Sequence, residues 1–226
     1  RSRLQKIRAM SADSVAKINE TIEEKVSDAS IIPMLEAHVD EQLEKNTYNP
    51  KANRHLLKLY KFHPQTAKPD VVGKILIKAL MNLPTSDYIS CLYLINSEHH
   101  TVQPVRTIRQ LATLLESFDI EKFWKAAAEQ KEFPKLLQTK GFCESVENFV
   151  VTILQSTYCD IEVATLEKLL RNGSKDVERL QKEKGWSLAN GGKTMVLSKR
   201  EAPGAQVSGS QKVILAQVGK VLPFLQ

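Results

Sequence analysis

Adjacent His99 and His100, preceded by Glu98, come closest in residue type to a metal site. A metal ion needs three or four ligand atoms converging at about 2.0–2.3 Å. Side chains adjacent on regular structure point in different directions, and the other histidines, His38, His55 and His63, are scattered, so no metal is expected. Cys159-Asp160 sets a nucleophile type beside a carboxylate, but no histidine lies near it in sequence to serve as base. Gly191-Gly192-Lys193-Thr194 resembles the end of a phosphate-binding loop. It lacks the upstream glycine and the strand-to-helix setting that aim backbone N–H groups at phosphate. Paired carboxylates such as Glu23-Glu24 and Asp40-Glu41 fall on polar helical faces, where water solvates them, and no Gly-x-Ser-x-Gly elbow is present. The expectation is a chain without catalytic residues, cofactor or metal. Its chemistry should be binding.

The elements that would carry such binding lie in the last third. A helical pattern runs from Phe142 to Tyr158, a second is expected over Ile161–Leu170 and a third over Lys175–Lys184. A hairpin-like stretch, Trp186 to Ser198, follows, with Asn190-Gly191 as its turn signal and Gly192 lengthening the loop. Helices closed by a small hairpin give the order of a winged-helix module. Such a module binds protein through the wing or nucleic acid through its third helix. For protein, the candidate residues are Trp186 and the strand Thr194, Met195, Val196 and Leu197, read as an edge that can pair with another chain's strand. A closed intramolecular hairpin explains the same pattern. For nucleic acid, the candidates are Lys175, Arg179 and Lys182, but Asp176, Glu178 and Glu183 alternate with them, unlike the more uniform basic row that tracks phosphates. Exposed aromatics interleaved with basic residues, as single-strand binders use, are not evident.

Upstream, helices dominate. Val72, Ile75, Leu76, Ala79, Leu80 and Leu83 recur at helical spacing, as do Val105, Ile108, Leu111, Ala112 and Leu115, with Pro104 placed for a first turn. Leu35, Val39 and Leu43 form another stripe, Leu56, Leu59 and Tyr60 a fourth, and Ile89, Leu92 and Tyr93 a fifth. Asp70, Asp87 and Asp119 lie where N-caps are expected. Short helices with short connections pack as successive antiparallel pairs, in the manner of HEAT-like stacks. Phe123 and Trp124 are expected to plug the stack, and Gln130–Gly141 to form the junction with the module. After Arg200 a flexible linker leads to a short apolar segment and tail, Val213 to Gln226, that docks on a partner or back on the domain. The division expected is 1–30 for an N-terminal helical extension, 31–140 for the HEAT-like domain, 141–200 for the winged helix and 201–226 for the tail.

Composition agrees with a folded binding protein. Of 226 residues, 42% are hydrophobic and 26% charged, and the net charge is +6. That charge admits a nucleic-acid partner without requiring one, and its mixed signs read mainly as a solvated surface. No apolar run is long enough for a membrane span. The basic start, Arg1 to Arg8, has no following apolar stretch of the kind a secretory signal needs, while an organelle transit peptide stays open. Three widely spaced cysteines suit a reducing compartment, with Cys91 and Cys143 expected in the core.

Tyr48-Asn49-Pro50, then Asn53, then Leu57 to Pro64, together with Lys78 to Tyr88, resemble subunit k of eukaryotic translation initiation factor 3. Pro104-Val105-Arg106, Leu114-Leu115-Glu116, Phe118, Phe123-Trp124 and Lys184-Gly185-Trp186 continue the match in order and spacing. The resemblance covers about Pro33 to Arg200, and little of it extends beyond Ala202. It implies a mostly α fold, a helical-repeat domain followed by a winged helix, related to the PCI domains of the proteasome lid and the signalosome. It further implies a non-catalytic scaffold subunit in the cytoplasm that supports preinitiation complex assembly on the small ribosomal subunit. Subunit l would be its nearest partner. A winged-helix protein binding nucleic acid directly and a subunit of another PCI complex are the alternatives.

Overall fold

Proline and asparagine set the helix starts in the first half of the chain. The computed structural model describes residues 15–129 and 139–197. Helix α1 covers 15–24, followed by α2 (Ile32–Lys45), α3 (Pro50–Phe62), α4 (Pro69–Leu80), α5 (Asp87–Leu94), α6 (Val105–Glu116) and α7 (Ile120–Glu129). Pro33, Pro50 and Pro69 stand in first turns, where a missing N–H leaves nothing unsatisfied. Asn49 caps α3, its side chain accepting from the Ala52 N–H at 3.2 Å. Asp70 and Asp87 prove to be first-turn residues, favoured there by the helix dipole. The cap positions belong to Lys68 and Ser86. Pro104 lies just outside α6 rather than in its first turn.

One continuous apolar core runs from Ile22 to Leu197. Helix α4 is its hub, packing against α2, α3, α5 and α6, and it is buried on nearly every side. The stripes expected on α2, α3, α4 and α6 are the faces that pack. Helix α5 departs from expectation: it buries Tyr88 and Cys91, while Ile89 and Tyr93 face solvent. With apolar residues on both sides of a two-turn helix, spacing alone does not choose a face. Docking against α3 and α4 chooses it, and the Arg54–Asp87 ion pair (3.2 Å) holds it.

The polar groups at the α2–α3 turn are paired inside this core. Gln42 and Asn53, both fully buried, exchange side-chain hydrogen bonds at 2.8 and 3.1 Å, and Gln42 Oε1 also accepts from the Asn49 N–H at 2.8 Å. This knot fixes the α2–α3 turn. The buried Lys78 of α4 donates to Asn46 Oδ1 at 2.9 Å. Gly141 lies over the same Asn46, whose Nδ2 an added Cβ would overlap, and its φ of +80° suits glycine.

The rest of the structure comprises α8 (Phe142–Thr157), β1 (Asp160–Glu162), α9 (Val163–Leu169), α10 (Ser174–Lys184), β2 (Ser187–Ala189) and β3 (Thr194–Val196). The strands form an antiparallel sheet in the order β1-β3-β2, with Ile161 and Leu188 both opposite Met195. The helix expected from Ile161 therefore begins at Val163, because Asp160–Glu162 pairs with β3. The Asn190–Gly192 turn has φ of 52°, 65° and 87°, matching its Asn-Gly-Gly sequence. The fold is thus mostly helical with one small antiparallel sheet. The expected tail at 201–226 and most of the Gln130–Gly141 junction lie outside the described residues.

The amide knot yields a stability prediction. Asn53→Ala should strand buried groups of Gln42 and lower unfolding free energy by about 2–3 kcal/mol. Urea titration followed by circular dichroism measures it, and a change under about 0.5 kcal/mol, the size of a neutral surface substitution, would refute the assignment.

Candidate interaction surface

Three features set the sheet against the helices behind it. Helix α8, within the helical pattern expected from Phe142, buries Phe142, Val146, Phe149, Val150 and Leu154. Helix α10 buries Val177 and Leu180 and ends at Gly185, whose φ of +69° turns the chain. The Trp186 N–H then donates to the Gln181 carbonyl at 3.1 Å, and the indole is buried. Trp186 thereby anchors β2 to α10.

The partner-surface candidates divide on this geometry. Trp186, Met195 and Leu197 are buried, and Thr194 and Val196 are half-buried. Strand β3 is not an edge: it is the central strand, paired on both sides. The outer strands are β1 and β2. Hydrogen bonds Leu197 N–H to Cys159 O (2.8 Å) and Val163 N–H to Lys193 O (3.0 Å) bracket the β1–β3 ladder. Backbone groups alternate sides along a strand, so Met195 bonds toward β1 while Thr194 and Val196 bond toward β2. Ser187 and Ala189 answer them, and the Leu188 N–H and C=O point outward from the sheet. The Leu188 side chain is 48% exposed, as is that of Tyr158 at the end of α8. Sequence reasoning missed both. The signal for Leu188 was its place in the hairpin arm opposite the one chosen.

The nucleic-acid candidates divide as well. Lys175, Arg179 and Lys182 share one face of α10 by spacing, and all are exposed. Arg179, however, donates to Glu147 Oε2 of α8 at 2.6 Å and to Asp176 Oδ1 at 3.3 Å. The second Asp176 oxygen accepts from the Asn172 N–H and Nδ2, each at 3.0 Å, closing the α9–α10 turn. Arg179 is therefore a clamp between helices, and Glu178 and Glu183 remain exposed beside the two lysines. Burial pushes the Glu147 carboxyl above its ordinary range; Arg179 opposes that shift and Asp176 adds to it. The hydrogen bond to Glu147 in turn raises Arg179.

The residues weighed for chemistry stay apart. Cys159 is exposed beside β1, Cys91 is buried, and burial raises both Cys91, to about 11, and the half-buried Cys143. Among the described residues, no group of three or more His, Cys, Asp and Glu is placed to hold a metal ion. None of their helices is long and apolar enough to cross a membrane.

Comparison with known proteins bears on the same region. The profile of the CSN8/PSMD8/EIF3K family matches residues 66–206. Eukaryotic translation initiation factor 3 subunit K of Homo sapiens is 34% identical over 169 residues, 74% of this chain and 77% of that protein. The Xenopus tropicalis protein of that name is 34% identical over 168 residues, covering 74% and 76%. That of Aedes aegypti is 36% identical over 148 residues, covering 66% of each.

The clamp makes a pH-dependent prediction. A carboxyl raised in the folded state binds its proton more tightly there than in the unfolded chain, so this group's contribution to stability falls as pH rises through the interval above the ordinary carboxylate range. In Arg179→Gln the opposing cation is gone, and the fall should steepen and extend to higher pH. At neutral pH the loss should be about 1–3 kcal/mol, reduced because the guanidinium is partly exposed. Urea unfolding across a pH series reads both, and parallel curves for parent and variant would exclude the clamp.

Proposed function

Because the chain belongs to the CSN8/PSMD8/EIF3K family, we propose that it is a non-catalytic scaffold subunit of the eukaryotic translation initiation factor 3 complex. In that role it supports preinitiation complex assembly on the small ribosomal subunit through protein–protein contacts, in the cytoplasm. The observation that carries the reading is the identity to relatives named as subunit K along about three quarters of both chains.

The architecture proposed for this role is a HEAT-like helical domain at 31–140 and a winged-helix domain at 141–200, with a helical extension before and a tail after. The order α8, β1, α9, α10, β2, β3 supports the winged helix, with β2 and β3 as the wing. Packing of the successive pairs α2 on α3, α4 on α5 and α6 on α7 supports the helical stack.

The partner contact is proposed at the outer edge of the wing, with subunit L as the neighbouring subunit. The support is physical. Leu188 offers an outward N–H and C=O beside a half-exposed apolar side chain, which suits an added strand or an apolar partner surface. Met195 and Leu197 back the sheet from inside, and Thr194 and Val196 brace it at the centre. The mixed charge of α10 and the commitment of Arg179 weigh against direct nucleic-acid binding.

Leu188→Asp should leave the isolated chain folded and weaken subunit association at least tenfold, or about 1.4 kcal/mol. Pull-down after nuclease treatment, with mass spectrometry and a titration against subunit L, measures it. Unchanged affinity would remove the wing edge from the proposal. Recovery of proteasome-lid or signalosome subunits would move the chain to another complex. Loss of every partner on nuclease treatment would favour nucleic acid as the direct ligand.

A further inference from the structure

Helix α5 carries a second surface, away from the sheet. Tyr93 is 79% exposed and Ile89 47%, one helical turn apart on the side of α5 opposite the buried Cys91. Together they set an aliphatic and an aromatic side chain side by side on the surface. Helices α3 and α5 pack side by side and run in the same direction, since Arg54 of α3 meets Asp87 at one end and Lys61 lies with Leu94, Ile95 and Asn96 at the other. Exposed Lys58 and Lys61 of α3 therefore flank the stripe, and Phe62, 70% exposed, ends α3 at the Tyr93 end. Arg109 of α6 donates to the His100 carbonyl at 3.5 Å and, with Glu116, acts on the buried Tyr88 phenol on the inner side of α5. Arg54 and Asp87 neutralise each other, leaving Glu98 and Glu116 as the acids nearby. Neither Lys58 nor Lys61 is in an ion pair with a described residue.

We propose that the outer face of α5 docks an acidic amphipathic helix from another protein, its apolar side laid on Ile89 and Tyr93 and its carboxylates facing Lys58 and Lys61. Charge selects this occupant. Residues 1–14 carry four basic side chains against one acid, residues 130–138 two against one, and residues 198–226 four against one, so none of these segments complements a basic rim. An aliphatic Ile89 at the centre favours a protein side chain over a nucleobase, which stacks on aromatic rings. This surface is additional to the wing edge, and its test uses the chain alone, so it stands or falls independently of complex membership.

The probe is a display library of 16-residue helical peptides, with apolar residues fixed one turn apart and the remainder randomised, selected on the full chain. Enriched peptides should be acidic. Ile89→Ser with Tyr93→Ser should lower their affinity at least tenfold, with circular dichroism and melting temperature unchanged because both side chains are exposed. Lys58→Glu with Lys61→Glu should do the same and abolish the salt dependence. Absence of enrichment, enrichment of basic peptides, or affinity unaffected by either pair would overturn the proposal. Oligouridylate binding that is lost in the Lys58→Glu, Lys61→Glu variant would assign the face to RNA and overturn it as well.

Discussion

The contact between Phe123 and Phe142 ties the two parts of the chain into one body. Both rings are fully buried, with centroids 6.4 Å apart, and Trp124 packs edge-on against Phe123 at 5.1 Å. Each such ring removes roughly 150–250 Å² from water, more than any other side-chain type offers at one crossing. The Trp124 indole N–H finishes the join by donating to the Leu169 carbonyl of α9 at 3.3 Å. Gly141, lying on Asn46, adds a second point of closure at the end of α2. The sheet and the α2–α6 stack are consequently parts of one core, and a surface on either is presented in a fixed relation to the other.

Charge is distributed so that many cations serve the fold. Arg54 holds α5 to α3, Lys68 and Lys74 reach back to Glu36 and Asp40 of α2, Lys51 ties α3 to Glu23 of α1, and Arg179 clamps α10 to α8. Exposed pairs of this kind add little stability individually. Their consequence is selection: they withdraw particular cations from any partner and leave others facing outward. A net charge of +6 therefore says less about partners than the positions of the cations that remain. A surface of mixed sign suits selective protein contacts, where complementary placement sets specificity.

Much of this structure was legible in the residues. The stripes of α2, α3, α6 and α8 packed on the faces their spacing predicted, because helices of three or more turns have one clearly apolar side. The turn at Asn190-Gly191-Gly192 was readable because those residues tolerate positive φ. Strand β1 was not readable: Asp160-Ile161-Glu162 is too short for alternation to register and runs directly into α9. The face of α5 was misassigned for a related reason, since Tyr88, Cys91 and Ile95 recur at helical spacing as well as Ile89 and Tyr93 do.

The sequence by itself determined the helical elements, the hairpin turn and the resemblance to one family, all of which rest on local spacing or on residue identity along the chain. Tertiary structure alone decided that β3 is central, that Leu188 rather than Val196 stands at the edge, that Arg179 is an internal clamp and that Ile89 and Tyr93 face solvent. The physical reason is the range of the interactions. Periodicity is set over a few residues, whereas the pairing of Asp160 with Val196, or of Arg179 with Glu147, joins residues far apart in the chain, and only packing selects such partners.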